Sequence, residues 1–100
     1  GPKTIIVPEE TDLHQNYPNP FNPVTTIGFS LEAAGNVTLK VYDLSGREVA
    51  TLVDSHMDRG SHNVGWNGRD AMNKPVSAGL YIYAMTSGGS TITKKMVLMK

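Results

Sequence analysis

No cysteine occurs in these 100 residues, so there is no disulfide framework and no thiol chemistry, an absence compatible with either an oxidising or a reducing compartment. A charge excess of one sign is also missing: nine basic and nine acidic side chains are scattered along the chain and sum to zero. Nucleic-acid binding wants a basic face that tracks phosphates, and the largest basic concentration is Lys94, Lys95 and Lys100, so that class is set aside. No apolar run approaches the roughly 18 residues of a membrane span, and the opening GPKTIIVPEE has no signal-peptide hydrophobic region. Convincing 3.6-residue periodicity is absent too. What remains is one globular domain: at 39% hydrophobic content a chain this long buries roughly two-thirds of its unfolded surface, enough for one two-layer core. Gly1-Pro2 looks like the scar of a cleaved tag, and residues 1–12 are read as scar and linker ahead of a domain over 13–100.

Proline, by contrast, is concentrated in one place. Asn16 to Pro23 reads NYPNPFNP. Pro18, Pro20 and Pro23 lack backbone donors and push the residues before them toward extended geometry, so the stretch can be neither helix nor central strand. It is expected to lead into the first strand and blunt an unpaired edge, with Tyr17 and Phe21 folded over the end of the domain as a lid.

Beyond it, short alternating runs recur between turn residues every eight to twelve positions, the spacing of a sandwich or barrel. Val24 to Leu31 puts Ile27, Phe29 and Leu31 on one face. After AAGN, Val37 to Asp43 puts Val37, Leu39 and Val41 inward, and the two runs are expected to pair antiparallel. Asp43-Leu44-Ser45-Gly46 is a turn, with aspartate bonding the backbone two residues on and Gly46 supplying positive φ. Arg47 to Val53 returns with faces that do not separate cleanly, and Asp54 to Gly60 reads as a loop. Ser61 to Trp66 alternates again. Leu80 to Thr86 is apolar on both faces, as a strand central to a sheet would be, and Thr91 to Lys100 forms a last strand after SGGS. The expected fold is all-β, an immunoglobulin-like antiparallel sandwich of about seven strands, with Ile27, Phe29, Val37, Leu39, Val41, Val64, Trp66 and Leu98 in its core.

Chemistry is hard to find. There is no glycine-flanked nucleophilic serine and no carboxylate pair that strands would bring across a cleft, so no enzyme activity is expected. His14, His56 and His62 lack second ligands at metal-like spacing, and the aspartates fit turns better than a calcium loop, so no metal or cofactor is expected. Trp66 could stack on a sugar, which would suit a carbohydrate-binding module, but its phase with Val64 reads as core. Tyr81 and Tyr83 likewise read as structural.

Five blocks nevertheless occur in order: LHQNYPNPFNPVTTIGFSL, GNVTLKVYDLSGREVATLV, GSHNVGWNGRD, SAGLYIYAM and KKMVLMK. Together they resemble the type A C-terminal sorting domain carried by cargo of the type IX secretion system in Bacteroidetes-related bacteria. The middle part is also similar to the immunoglobulin-like module of flagellar hook-capping proteins. Asn67 departs from the aspartate usual in the family's W-D-G turn, and Ser55 to Gly60 matches no family pattern. The resemblance implies a non-catalytic β-sandwich joined to a larger secreted protein N-terminal to it and read by the outer-membrane translocon. It implies export through the periplasm to the cell surface or beyond. On the residues alone KKMVLMK is a last strand with solubilising lysines. The resemblance makes Lys94, Lys95, Met96, Val97, Leu98, Met99 and Lys100 the expected partner-binding site, open to strand addition by a monomeric domain. The alternatives are a carbohydrate-binding or structural spacer module of a secreted hydrolase.

Overall fold

The computed structural model describes residues 10–100, and the expectations for residues 1–9 lie outside the described residues. Seven strands follow in order: β1 (Asp12–Leu13), β2 (Thr25–Leu31), β3 (Gly35–Tyr42), β4 (Glu48–Met57), β5 (Gly60–Trp66), β6 (Gly79–Ser87) and β7 (Ser90–Leu98). They form two antiparallel sheets, β1-β2-β5 and β4-β3-β6-β7, and the described residues contain no helix. The immunoglobulin-like sandwich expected from the alternation is the observed fold. Its folded part reaches slightly ahead of Leu13, since Asp12 pairs with Ser30 and the Thr11 hydroxyl accepts the Glu32 N–H.

One face of each sheet supplies the core. Ile27, Phe29 and Leu31 of β2 meet Val37, Leu39 and Val41 of β3, Tyr81, Tyr83 and Met85 of β6, and Met96 and Leu98 of β7. Of the eight expected core residues, seven are buried and Val64 is half-buried against the same cluster. β6 lies between β3 and β7, as its two apolar faces required.

Two expectations about connections are corrected. β2 and β3 do not pair: β2 bonds to β1 and β5, whereas β3 bonds to β4 and β6. The AAGN segment carries the chain from one sheet to the other, so the two strands' matching apolar faces oppose each other across the core. Alternation fixes which face is apolar, and it is equally satisfied by strands side by side or face to face. The second correction is the loop expected over Asp54 to Gly60. β4 continues to Met57 and β5 starts at Gly60, whose φ of 123° suits glycine at this tight reversal. The polar side chains of that stretch lie on β4 and β5, the outermost strands of their sheets, where Ser55 still pairs with the core residue Val37.

The blurred faces of β4 have a local cause. Val41 pairs with Ala50 and Tyr42 with Glu48, leaving Val49 as an extra residue; Leu39 pairs with Val53 and Lys40 with Thr51, leaving Leu52. Each bulge resets the alternation by one, so no single apolar face runs the length of the strand. The Asp43 turn is built as expected: its Oδ1 accepts from the Ser45 N–H at 2.9 Å, the Ser45 hydroxyl at 2.6 Å and the Arg47 N–H at 3.0 Å, and Gly46 has φ of 86°. These bonds, the Ser45 hydroxyl first, hold the Asp43 carboxyl below the usual aspartate range.

Trp66 closes one end of the core. It is 3% exposed, lies 5.7 Å from the Phe21 ring and 5.5 Å from Tyr81 between centroids, and donates its indole N–H to the Arg69 carbonyl at 2.9 Å. Trp66→Ala is therefore expected to cost about 3–5 kcal/mol, a large share of a small domain's stability. Chemical denaturation measures it, and a midpoint close to that of the parent would contradict this packing.

Candidate partner-binding site

The segment around NYPNPFNP is neither a free lead-in nor a simple lid. From Asp12 to Tyr17 the chain runs along β2: Leu13 pairs with Phe29, the His14 N–H donates to Gly28, and Tyr17 and Thr26 exchange two bonds of 2.9 Å. It then crosses the open side of the sandwich to β7. There Phe21 forms a parallel bridge, donating its N–H to the Val97 carbonyl at 3.0 Å and accepting the Met99 N–H at 2.8 Å. Asn19 Oδ1 accepts the Val97 N–H at 3.0 Å, and Gln15 Nε2 donates to the Lys95 carbonyl at 2.7 Å. Prolines suit this work because the strap needs few donors of its own, while asparagine side chains supply the missing polar groups.

The crossing is anchored in the core. Tyr83, fully buried on β6, donates its hydroxyl to the His14 carbonyl at 2.7 Å and accepts the Asn16 N–H at 2.9 Å. Asn16, 2% exposed, donates through Nδ2 to the Thr25 hydroxyl and the Pro18 carbonyl, and Thr25 in turn donates to that same carbonyl. No buried side-chain nitrogen or oxygen among the described residues lacks a partner. Burial raises the Tyr83 hydroxyl above its ordinary value near 10, and the bond from Asn16 pulls the other way more weakly.

The expected lid is thus half right. Phe21 is 2% exposed and packs on Trp66, but Tyr17 is 81% exposed. Directly opposed residues of an antiparallel bridge project to the same face, and Thr26 faces outward, so Tyr17 must as well.

β7 is an edge strand of the four-stranded sheet, as strand addition would need. The seven expected site residues separate by parity along it. Met96 and Leu98 are core side chains; Lys94 shares their face and is half-buried, as is Val97 on the opposite face. Lys95, Met99 and Lys100 are exposed. Leu98 and Lys100 also line a cavity of about 350 Å³ with Pro23, Gly68 and Pro75. The Val97 edge is already taken by the strap, which the reading of KKMVLMK as a uniformly open strand did not foresee. Gln15, Asn16, Asn19 and Tyr83 were not singled out as functional. The three asparagines crowded among prolines were the available signal, as acceptors in a stretch short of backbone donors.

Neither turn aspartate is free for a cation. Asp43 is engaged as above, and Asp70 Oδ1 accepts the Met72 and Lys74 N–H groups at 2.9 Å. Among the described residues no three His, Cys, Asp or Glu side chains gather into a metal-holding group.

Tyr83→Phe removes one hydroxyl and leaves the His14 carbonyl and the Asn16 N–H without their partner, at an expected cost of about 1–3 kcal/mol. Amide exchange should accelerate at Phe21, Val97 and Met99 beyond the global change. Stability also depends on pH here. A phenol whose folded pKa is raised contributes fully below its unfolded value near 10 and loses that contribution as pH climbs through the folded value. Melting followed upward from pH 9 should show the parent losing stability more steeply than Tyr83→Phe; parallel curves would contradict the role given to this hydroxyl.

A sequence model of the FlgD Ig-like domain matches residues 19–90, most of the sandwich but almost none of β7. Among curated proteins none matches the chain. Similar solved structures include PorZ, an essential bacterial surface component of the type-IX secretion system of Porphyromonas gingivalis, at 23% identity and a TM-score of 0.59 over 90% of this chain. Dimeric latent PorU of the same organism is similar at 22% identity and a TM-score of 0.69 over 88% of this chain. The alkylpurine DNA glycosylase AlkC of Pseudomonas fluorescens reaches 14% identity and 0.50 over 91%. This chain spans 11% of PorZ, 9% of PorU and 31% of AlkC, so each likeness is to one part of a larger protein and is a likeness of fold. By the matched span and the two-sheet architecture, the chain belongs to the FlgD Ig-like domain family.

Proposed function

We propose that this domain is a non-catalytic sorting and anchoring module that directs a larger secreted protein through the type IX secretion system to the cell surface. The observation that carries the reading is that NYPNPFNP and KKMVLMK, two of the three most distinctive blocks of the sorting-domain resemblance beside the VYDLSGREV hairpin, form one hydrogen-bonded surface. The likeness to part of PorZ supports the association with this secretion system. In the proposal the domain folds in the periplasm, which a cysteine-free sandwich does without oxidation, and presents β7, the strap and the exposed Lys95, Met99 and Lys100 to the outer-membrane translocon. The cargo is attached N-terminally. A carbohydrate-binding module would present a row of exposed aromatics. Here Trp66, Tyr81, Tyr83, Phe21 and Phe29 are buried, and Tyr17 stands alone as the large exposed aromatic among the described residues. The family match keeps a structural spacer as the second reading.

The test is a fusion of this chain behind a signal peptide and a fluorescent cargo in a bacterium that has the system. Truncation before Lys95 would remove Met96 and Leu98 from the core and confuse misfolding with lost recognition. The informative variant is Lys95→Glu/Met99→Ser/Lys100→Glu, which touches exposed side chains. It is expected to melt like the parent yet leave most of the cargo in the periplasm. Surface delivery equal to the parent's would reject sorting in favour of the spacer.

A further inference from the structure

The strap bonds to one half of the β7 edge and, among the described residues, no strand is hydrogen-bonded to the other half. Val97 directs both backbone groups away from β6, toward Asn19 and Phe21. The register with β6 is unbroken from Ser90 to Leu98, so Thr91, Thr93 and Lys95 point their backbone groups the same way. Of these the Lys95 carbonyl is bonded to Gln15, and the Thr91 and Thr93 N–H and C=O groups and the Lys95 N–H have no backbone partner among the described residues, since β1 lies near β7 without bonding to it. The opposite edge of the same sheet is less suited to a partner. β4 carries two bulges, and its Val49 carbonyl is taken by the Ala71 N–H.

Charge selects the occupant. The ion pairs among the described residues join His14 to Asp12, Lys40 to Glu48 and Arg47 to Asp43, and none involves Lys94 or Lys95. These two lysines project to opposite faces of the edge. A second copy of this edge would bring lysines against lysines. An extended segment with two adjacent acidic residues would place one carboxylate on each face, opposite its own lysine.

We infer that the open half of the β7 edge, Thr91 to Lys95, receives an extended acidic segment of a partner protein as an added strand. This deepens the partner-binding reading of β7, on which it rests, by fixing where the partner binds and the charge it carries. Main-chain bonds to Thr91, Thr93 and Lys95 supply the attachment, and the lysine pair supplies the selection.

The probe is the capped hexapeptide Thr-Val-Glu-Glu-Val-Thr, titrated into the isotope-labelled chain and followed by amide resonances. Saturable shifts centred on Thr91, Thr93 and Lys95, with slowed exchange at those amides, are expected. A Lys-Lys analogue of the peptide should bind at least about tenfold more weakly. Thr93→Pro removes an N–H that the fold does not use and should weaken binding by a similar factor. Lys94→Glu/Lys95→Glu should do the same, and it carries the test if the proline variant does not fold. Absence of saturable shifts, equal binding of the lysine analogue, or unchanged binding by folded variants would overturn the inference. The titration involves no secretion step. Surface delivery of the Lys95→Glu/Met99→Ser/Lys100→Glu fusion equal to the parent's, with saturable peptide binding to the parent chain, counts against sorting alone; loss of delivery in that variant, with no saturable peptide binding to the parent chain, counts against the acidic-strand inference alone.

Discussion

A two-sheet sandwich built from an open set of strands must satisfy the backbone groups at its edges, and here the buried hydroxyl of Tyr83 makes that possible. It accepts one bond and donates another, and both partners belong to the segment that leaves β2 for β7. Prolines thin the ladder bonds of the run from His14 to Pro23, and Tyr83 adds a buried anchor to those that His14 and Tyr17 make with β2 and Phe21 makes with β7. With it, Asn16 turns inward, Asn19 and Phe21 arrive at β7, and Phe21 completes the aromatic cluster around Trp66. A polar atom in the core thus sets the geometry of the surface.

The family to which the chain belongs accounts for the scaffold between those edges. The matched span stops at Ser90, where β7 begins, and starts inside the strap. The shared part is the packing of β2 to β6, which many immunoglobulin-like domains solve in the same way without sharing a task. The start of the strap and nearly all of β7 lie outside it, and β7 with the residues after it carries Lys94, Lys95 and the exposed Met99. A role particular to this chain is more naturally carried there than by its buried centre.

Much of this was legible in the sequence because alternation reports burial directly. Ile27, Phe29, Val37, Leu39, Val41, Trp66 and Leu98 were assigned to the core by phase alone, and the Asp43 turn by its side-chain chemistry. What alternation cannot report is which strands are neighbours, so β2 and β3 were wrongly expected to pair. It also fails wherever register slips, as at Val49 and Leu52, and polarity misled over Asp54 to Gly60 because β4 and β5 are the outermost strands of their sheets and tolerate polar side chains. At the site, KKMVLMK was placed correctly on an edge strand. Its partial cover by Gln15, Asn19 and Phe21 was hidden, since contacts between positions 78 and 80 apart leave no local signal.

Those separations have a kinetic consequence. Tyr83 reaches back 69 residues to His14, and Asn19 reaches forward 78 to Val97, so the bonds that close the domain span nearly all of it. Such closure is among the slowest events in folding a small protein, because the entropy of ordering the chain is spent before these contacts form. A chain emerging from its N-terminus can assemble β2 to β6 and still have a bare β6 edge and a loose strap. Native shape is reached when β7 arrives, which couples the finished surface to the completeness of the polypeptide that displays it.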